Sequence, residues 1–393
     1  MQRSFRYNAF VRIAMIIFCI AAVLGGLYLI ISGTFTKAES HSAKDSPLFV
    51  AAIGGIMIII FFLGLVDSIK ARIILEENRI TQVGIFSVRT LEKEEMSGFR
   101  GDENYIIVES SVVGKKKIKI SKYISGKEEI LSWLSERTID LDNQSREEEE
   151  IEIRTNQNFG FSDEERNDFL RRAKKAAKVC NWIGGILLAW VFFMPRPYNL
   201  AIISVIIMPP AGIAVLRYFK GLIRLDMNEK SAYPGITFGV LFPAIALMLR
   251  ALIDYNIYKY SEMNWVIISV VSLVIFLSIV ANSEEFNFKS GSNAARLFFP
   301  LLISFAYGYG SIVSVNCTFD NSEALVYTST IVDKYVSTGK HTTYYLKLAA
   351  WGDQSEDESV SVTREEYDNH SISDVVNVYY KKGLLGIPWY GIF

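Results

Sequence analysis

The chain has 393 residues, 50% of them hydrophobic and 21% charged, with 41 basic against 42 acidic side chains and a net charge of -1. A mean hydropathy of +0.23 with so little net charge excludes a disordered chain, and the even balance of charge leaves no field to gather nucleic acid. Three widely separated cysteines without a CxxC pair exclude a disulfide framework and a thiolate metal centre.

A helix needs about 20 mostly apolar residues to cross a bilayer. In chain order, such stretches run at about 11–32, 47–66, 181–194, 200–216, 236–253, 265–281 and 297–315. The third is short and can extend backwards through Ala176, Ala177 and Val179, and Pro209–Pro210 is expected to break the fourth. Arg3, Arg6 and Arg12 precede the first stretch, Lys70 and Arg72 follow the second, and Arg171 to Lys178 precede the third. Arg217, Lys220, Arg224 and Lys230 follow the fourth, whereas the alternate loops offer only Lys37, Lys44, Arg196 and Lys259. Positive charge on alternate loops predicts a cytoplasmic N-terminus and an odd number of crossings. Cys317 then lies outside, within expected reach of an impermeant thiol reagent. The first apolar run is longer than a signal-peptide core and reads as a retained span. Gly25–Gly26, Gly54–Gly55, Gly184–Gly185, Gly308 and Gly310 read as points of close helix packing.

Between the second and third stretches, the runs ARIILEE, RITQVGIF, SVRTL, NYIIVES and KKIKIS follow one another as an antiparallel meander. GKEEILSWLSER then reads as an amphipathic helix, with Ile130, Leu131 and Leu134 in its apolar stripe. This order, with EENRITQVGIFSVRTLEKEEM, resembles the bacterial pleckstrin-homology-like (PH-like) domains of membrane proteins over about residues 70–136. The resemblance implies a docking module for proteins or lipids, without catalysis. Its first hairpin carries Glu76, Glu77 and Asn78, which repel phosphate and argue against headgroup-specific binding. Lys115, Lys116, Lys117, Lys119 and Lys122 form a basic cluster that could meet anionic lipid or protein, although such charge runs usually solvate.

Residues 138–158 are acidic, with a block from Glu147 to Glu150, and are expected to form a self-repelling, extended linker. Ser162 with Glu165 marks a capping box. The basic helix behind it is expected to lie along the membrane surface before turning inward. The tail after residue 315 is rich in strand signals: ALVYTSTIVDKYV and TTYYLKLAAW flank a turn, then SVSVT, VVNVYY and IPWYGIF follow. That series suits a small β-barrel. KHTTYYLKLAAWG and VNVYYKKGLLGIPWY resemble tails of uncharacterised multispanning bacterial membrane proteins, from which no activity follows.

Catalytic constellations are missing from the sequence. His41, His341 and His370 show no ligand spacing, and there is no GxSxG elbow, no P-loop and no Rossmann fingerprint. Arg250 and Asp254, four apart near the end of the fifth stretch, share a helix face and can pair, or Arg250 can snorkel to the interface.

The expectation is therefore an α-helical membrane protein of about seven spans, with a cytoplasmic PH-like β-domain capped by a helix and a C-terminal small β-barrel. Its parts are two spans (1–66), the PH-like domain (67–137), an acidic linker with a juxtamembrane helix (138–180), five spans (181–315) and the barrel (316–393). The expected role is a non-enzymatic adaptor or scaffold in the plasma (inner) membrane. It uses no cofactor or metal, and its partners are lipids and a membrane or envelope protein. The alternative is a transporter or channel built on the broken fourth span and the Arg250/Asp254 pair.

Overall fold

The structure is a computed structural model that describes residues 2–35, 47–226, 228, 230–286, 294–338 and 342–392. It forms two compact units, Met1–Glu148 and Glu149–Phe393.

The first unit opens with strand β1 (Arg3–Phe5), followed by helices α1 (Ala9–Phe35) and α2 (Pro47–Lys70). These helices form an antiparallel hairpin that closes at Gly26 and Gly54. A Cβ on Gly26 would sit 2.8 Å from the Gly54 carbonyl oxygen, so no larger residue permits this approach. After the hairpin come β2 (Arg72–Leu75), β3 (Arg79–Val83), β4 (Val88–Glu92), β5 (Met96–Gly101), β6 (Tyr105–Ser110), β7 (Ile118–Ser121) and helix α3 (Lys127–Arg137). They make two antiparallel sheets, β1-β2-β3-β4 and β5-β6-β7. Alternation does the sorting: Ile118 and Ile120 are buried while Lys117 and Lys119 face out. Ile130 and Leu134 of α3 are fully buried among Ile80, Leu91, Ile106 and Val108. The end of α3 is fixed over the β2–β3 turn, where Trp133 Nε1 donates to the Glu76 carbonyl at 3.1 Å and Arg137 Nε to that of Glu77 at 2.9 Å.

Strand β1 pairs with β2, Phe5 opposite Ile73. The β-domain thus takes its first strand from ahead of α1, and the helical hairpin is inserted between two neighbouring strands of one sheet. Sequence reading began this domain at residue 67 and missed both β1 and β5. The acidic stretch also differs from its expected extended form, because α4 (Leu141–Thr155) is a helix. Its fully buried Ile153 supplies the apolar contact that offsets repulsion among the glutamates.

The second unit holds α5 (Asp163–Phe193), α6 (Tyr198–Tyr218), α7 (Thr237–Ile253), α8 (Trp265–Asn282) and α9 (Ala294–Thr318). Helix α5 starts at the Ser162–Glu165 capping box and runs unbroken to Phe193, without the expected turn between a surface helix and a span. Helix α6 passes straight through Pro209 and Pro210. A proline removes the hydrogen bond to the carbonyl four residues back. For Pro210 that carbonyl belongs to Ile206, and the Tyr307 hydroxyl donates to it at 3.0 Å. The helix therefore continues where sequence predicted a break.

Among the described residues, six helices are long and apolar enough to cross a membrane: α1, α2, α5, α6, α8 and α9. Helix α7 has only 17 residues. It packs against α5, α6 and α9, and Val240, Ala244, Leu247 and Ala251 are buried there. Gly184 and Gly310 face α7, and a Cβ at either would collide with its backbone.

The remaining elements are β8 (Asn256–Ile257), β9 (Leu325–Thr338), β10 (Thr342–Leu348), β11 (Glu358–Val362), α10 (Arg364–Asn369), β12 (Val375–Lys381) and β13 (Trp389–Ile392). They form a nearly closed, barrel-like six-stranded antiparallel sheet in the order β11-β10-β9-β12-β13-β8. Ile331, Leu346, Leu348, Val360 and Val378 fill it, with Trp351 and Tyr390. Strand β8 comes from the α7–α8 connection, and Tyr258 beyond it packs on Trp351 at 5.2 Å and on Tyr380 at 5.1 Å.

Candidate functional site

Three polar constructions stand out, all in the second unit. The first gathers the Arg250/Asp254 pair. Arg250 Nη1 donates to Asp254 Oδ1 at 2.9 Å, the pair that the four-residue spacing predicts. Rather than snorkelling along its own helix, the guanidinium turns to the last carbonyls of α5. Its Nε donates to Val191 O at 2.9 Å and its Nη2 to Phe192 O at 3.0 Å. Cationic capping of a helix C-terminus satisfies orphan carbonyls and meets the negative end of the dipole. Tyr198 Oη donates to Asp254 Oδ2 at 2.7 Å, lies 2.8 Å from the Tyr255 hydroxyl, and Tyr255 lies 2.7 Å from Thr318 Oγ1. The chain of contacts ties the ends of α5, α6, α7 and α9 together. Every nitrogen of the guanidinium and both oxygens of the carboxylate are engaged, so the node is built as a fastener.

The second lies at the opposite ends of these helices. Glu149 of α4 accepts from Ser231 Oγ at 2.6 Å, from the Ala232 N–H at 2.7 Å and from Arg224 Nη1 at 3.4 Å. The Arg224 guanidinium lies 3.7 Å from the centre of the Tyr233 ring. Burial and a hydrogen bond with Glu152 push the Tyr233 hydroxyl well above its ordinary pKa. Glu285 accepts from the Leu225 N–H and from Ser283 Oγ, each at 2.8 Å. Beside them opens a cavity of about 590 Å³, lined also by Asp226, Arg296 and Phe299. Sequence reading placed Glu149 in a solvated block. Only the fold brings it to the Ala232 amide that it caps, from more than 80 residues away.

The third joins the barrel to α9. Asn316 is fully buried. Its Nδ2 donates to Ile387 O at 2.8 Å, and its Oδ1 accepts from Leu385 N at 2.8 Å and Ile387 N at 3.2 Å. Asp320 Oδ2 accepts from Gly383 N at 3.0 Å and from Trp389 Nε1 at 2.9 Å, while Oδ1 accepts from Ser322 N at 2.8 Å. The Tyr258 N–H donates to Pro388 O at 3.0 Å. Neither Asn316 nor Asp320 carried any motif in the sequence.

No family model fits the chain, and no curated protein or solved structure matches it.

In the first unit the lysine cluster does not act as one patch. Lys115 pairs with Glu95, and Lys117 lies 3.7 Å from Glu109. Lys116 is exposed, Lys119 points outward near the start of β7, and Lys122 lies just past its end. Among the described residues no group of three or more His, Cys, Asp or Glu side chains is placed to hold a metal ion. His41 and His341 lie outside the described residues, and the His370 carbonyl accepts from Lys334 Nζ. Cys317 is buried, so its thiol reports burial and not sidedness.

Proposed function

We propose that the chain is a non-enzymatic integral membrane scaffold with about seven spans, a cytoplasmic N-terminus and PH-like domain, and an extracytoplasmic barrel that docks a membrane or envelope protein. The observation that carries this reading is the Asn316/Asp320 clasp. A barrel hung on a flexible linker could not hold a fixed pose over the helices, whereas one anchored by buried hydrogen bonds presents its surface as a platform. Two further features support it. The four-plus-three sheet order closed by α3 suits a PH-like docking module. The alternation of basic loops suits seven crossings, with α7 spanning as a short helix sheltered by its neighbours.

The test is amine-reactive cross-linking in intact cells, followed by purification and mass spectrometry. Reproducible links from Lys347 and the exposed Lys382 to one second protein are expected. Links confined to the chain or its own copies would overturn the adaptor reading. Sidedness is read with an engineered Lys382→Cys and an impermeant thiol reagent, since Cys317 cannot report it.

The transporter reading rests on Arg250 in the last turn of α7 and Asp254 at its C-cap, ionisable groups set among the ends of apolar helices. Ion flux in reconstituted vesicles that Asp254→Asn abolishes would favour it over the scaffold.

A further inference from the structure

The β3–β4 turn carries Phe86 at its tip, 81% exposed, followed by the exposed Ser87 and Val88. An aromatic side chain this bare on a hairpin tip has no packing role in its own domain. The strand register says where the tip lies. Helix α2 ends at Lys70, and β2 begins at Arg72. Arg72 pairs with Val83, which in turn pairs with Val88. Neighbouring strands are about 4.8 Å apart, so the tip sits roughly 10 Å to the side of the point where α2 leaves the domain. The entry to α1 is at the same end: Asn8 N donates to Tyr123 O at 2.9 Å, and α1 starts at Ala9. The β2–β3 turn with Glu76 and Glu77 occupies the opposite end, about 15 Å away along the strands.

Basic groups rim this end. Lys70 and Arg72 flank the exit of α2, Arg89 follows the tip with its Nη1 3.2 Å from Lys117 O, and Lys119 and Lys122 come from β7 and its end. Asp102 and Glu103 of the β5–β6 turn lie alongside Lys122, whose N–H donates to Asn104 O, and leave the basic groups in the majority. In the last turn of α2 Ile69 is exposed as well. An apolar tip inside a cationic rim, level with the ends of two helices of spanning length, matches the interface of an anionic bilayer.

We propose that the β3–β4 turn is a membrane-interface anchor: Phe86 enters the headgroup region of the leaflet that α1 and α2 cross, and Arg72, Arg89 and Lys119 meet its acidic phospholipids. The inference rests on the membrane-spanning reading of α1 and α2. It moves the lipid contact from Lys115–Lys117, of which Lys115 and Lys117 are countered by Glu95 and Glu109, to the basic groups around the β3–β4 turn.

The test uses the full chain in nanodiscs of phosphatidylcholine and phosphatidylglycerol. An environment-sensitive fluorophore is placed on Phe86→Cys, on Glu77→Cys at the far turn, or on Ile59→Cys midway along α2; the native cysteines Cys19, Cys180 and Cys317 are buried. Lipids with a nitroxide near the headgroup should quench the label at residue 86 about threefold more than at residue 77, and Arg89→Glu or removal of phosphatidylglycerol should reduce that difference. Equal, weak quenching at 86 and 77 would overturn the anchor, provided that a lipid with a deep nitroxide quenches residue 59. If residue 59 also escapes quenching, the spanning reading of α2 falls instead. A dehydrated but unquenched label at 86 would assign the tip to a protein partner and likewise overturn the lipid anchor.

Discussion

Both β-domains borrow a strand from the far side of apolar helices, and they are fastened differently. The N-terminal domain takes β1 from ahead of α1. The buried Phe5 side chain and hydrogen bonds to backbone carbonyls hold that junction, with Ser125 N donating to Arg6 O at 2.7 Å, Ser125 Oγ to the same carbonyl at 2.9 Å and Asn8 N to Tyr123 O at 2.9 Å. The C-terminal barrel takes β8 from the α7–α8 connection and adds buried polar side chains, Asn316 and Asp320, from and just past the end of α9. Two short chain connections position a domain by covalent geometry. The barrel is joined to the helices at both ends of β8 and through the α9–β9 segment, and Asn316 and Asp320 add side-chain hydrogen bonds that fix the 383–389 loop against the end of α9.

This contrast predicts where damage spreads. Asn316→Leu strips three hydrogen bonds and leaves the Leu385 and Ile387 amides buried without acceptors, a loss of about 4 kcal/mol at one to three per orphan. Hydrogen exchange should accelerate over 375–392 while strands β2 to β7 keep their protection. Exchange that rises equally in both domains would show that the barrel is not separately fastened. Phe5→Ala should cost about 3 kcal/mol, because Phe5 is buried in the N-terminal core. The loss should appear as faster exchange in β2 and α3, although α1 and α2 separate Phe5 from them in sequence. An unchanged β2 would refute the inserted-hairpin arrangement. Tyr307→Phe is the control: it frees the Ile206 carbonyl at a cost of about 1 kcal/mol, and protection in either β-domain should not move.

The same contrast explains what sequence could reveal. Long apolar runs and alternating strands are local signals, so the apolar helices, β2 to β4, β6, β7, α3 and most barrel strands were legible. Strands of three and two residues, β1 and β8, exist because β2 and β13 offer edges to them, and no local pattern marks that offer. Met96–Gly101 holds two glycines and no alternation, which hid β5. Helix α4 looked like a repelling block because Arg224, Ser231 and Ala232, the partners of Glu149, come from a distant loop. Arg250 with Asp254 was legible through its four-residue spacing, but the α5 carbonyls and Tyr198 that complete the node were not. Pro209–Pro210 was read as a break because Tyr307, which repairs it, lies about a hundred residues away.

The smallest predicted effect is the most diagnostic of the clasp, because pH changes one of its two side chains and leaves the other alone. Burial by itself would raise the pKa of Asp320, but the N–H groups of Ser322, Trp389 and Gly383 favour the charged carboxylate and hold it below its ordinary value of 3.8. A folded-state pKa below the unfolded one means that the carboxylate stabilises the clasp fully above about pH 4, and that this contribution is lost as pH falls through the folded value. Asn316 does not titrate and keeps its bonds throughout. Protease access to the 383–389 loop should therefore stay flat from about pH 7 to 4 and rise only in stronger acid. Asp320→Asn should raise access modestly at neutral pH, by about 1 kcal/mol, because its amide nitrogen would turn a donor toward other donors. It should also abolish the acid-dependent rise, since the variant has no carboxyl to protonate. If the acid step survives in Asp320→Asn, another carboxylate controls the loop, and the barrel's fixed pose rests on Asn316 without Asp320.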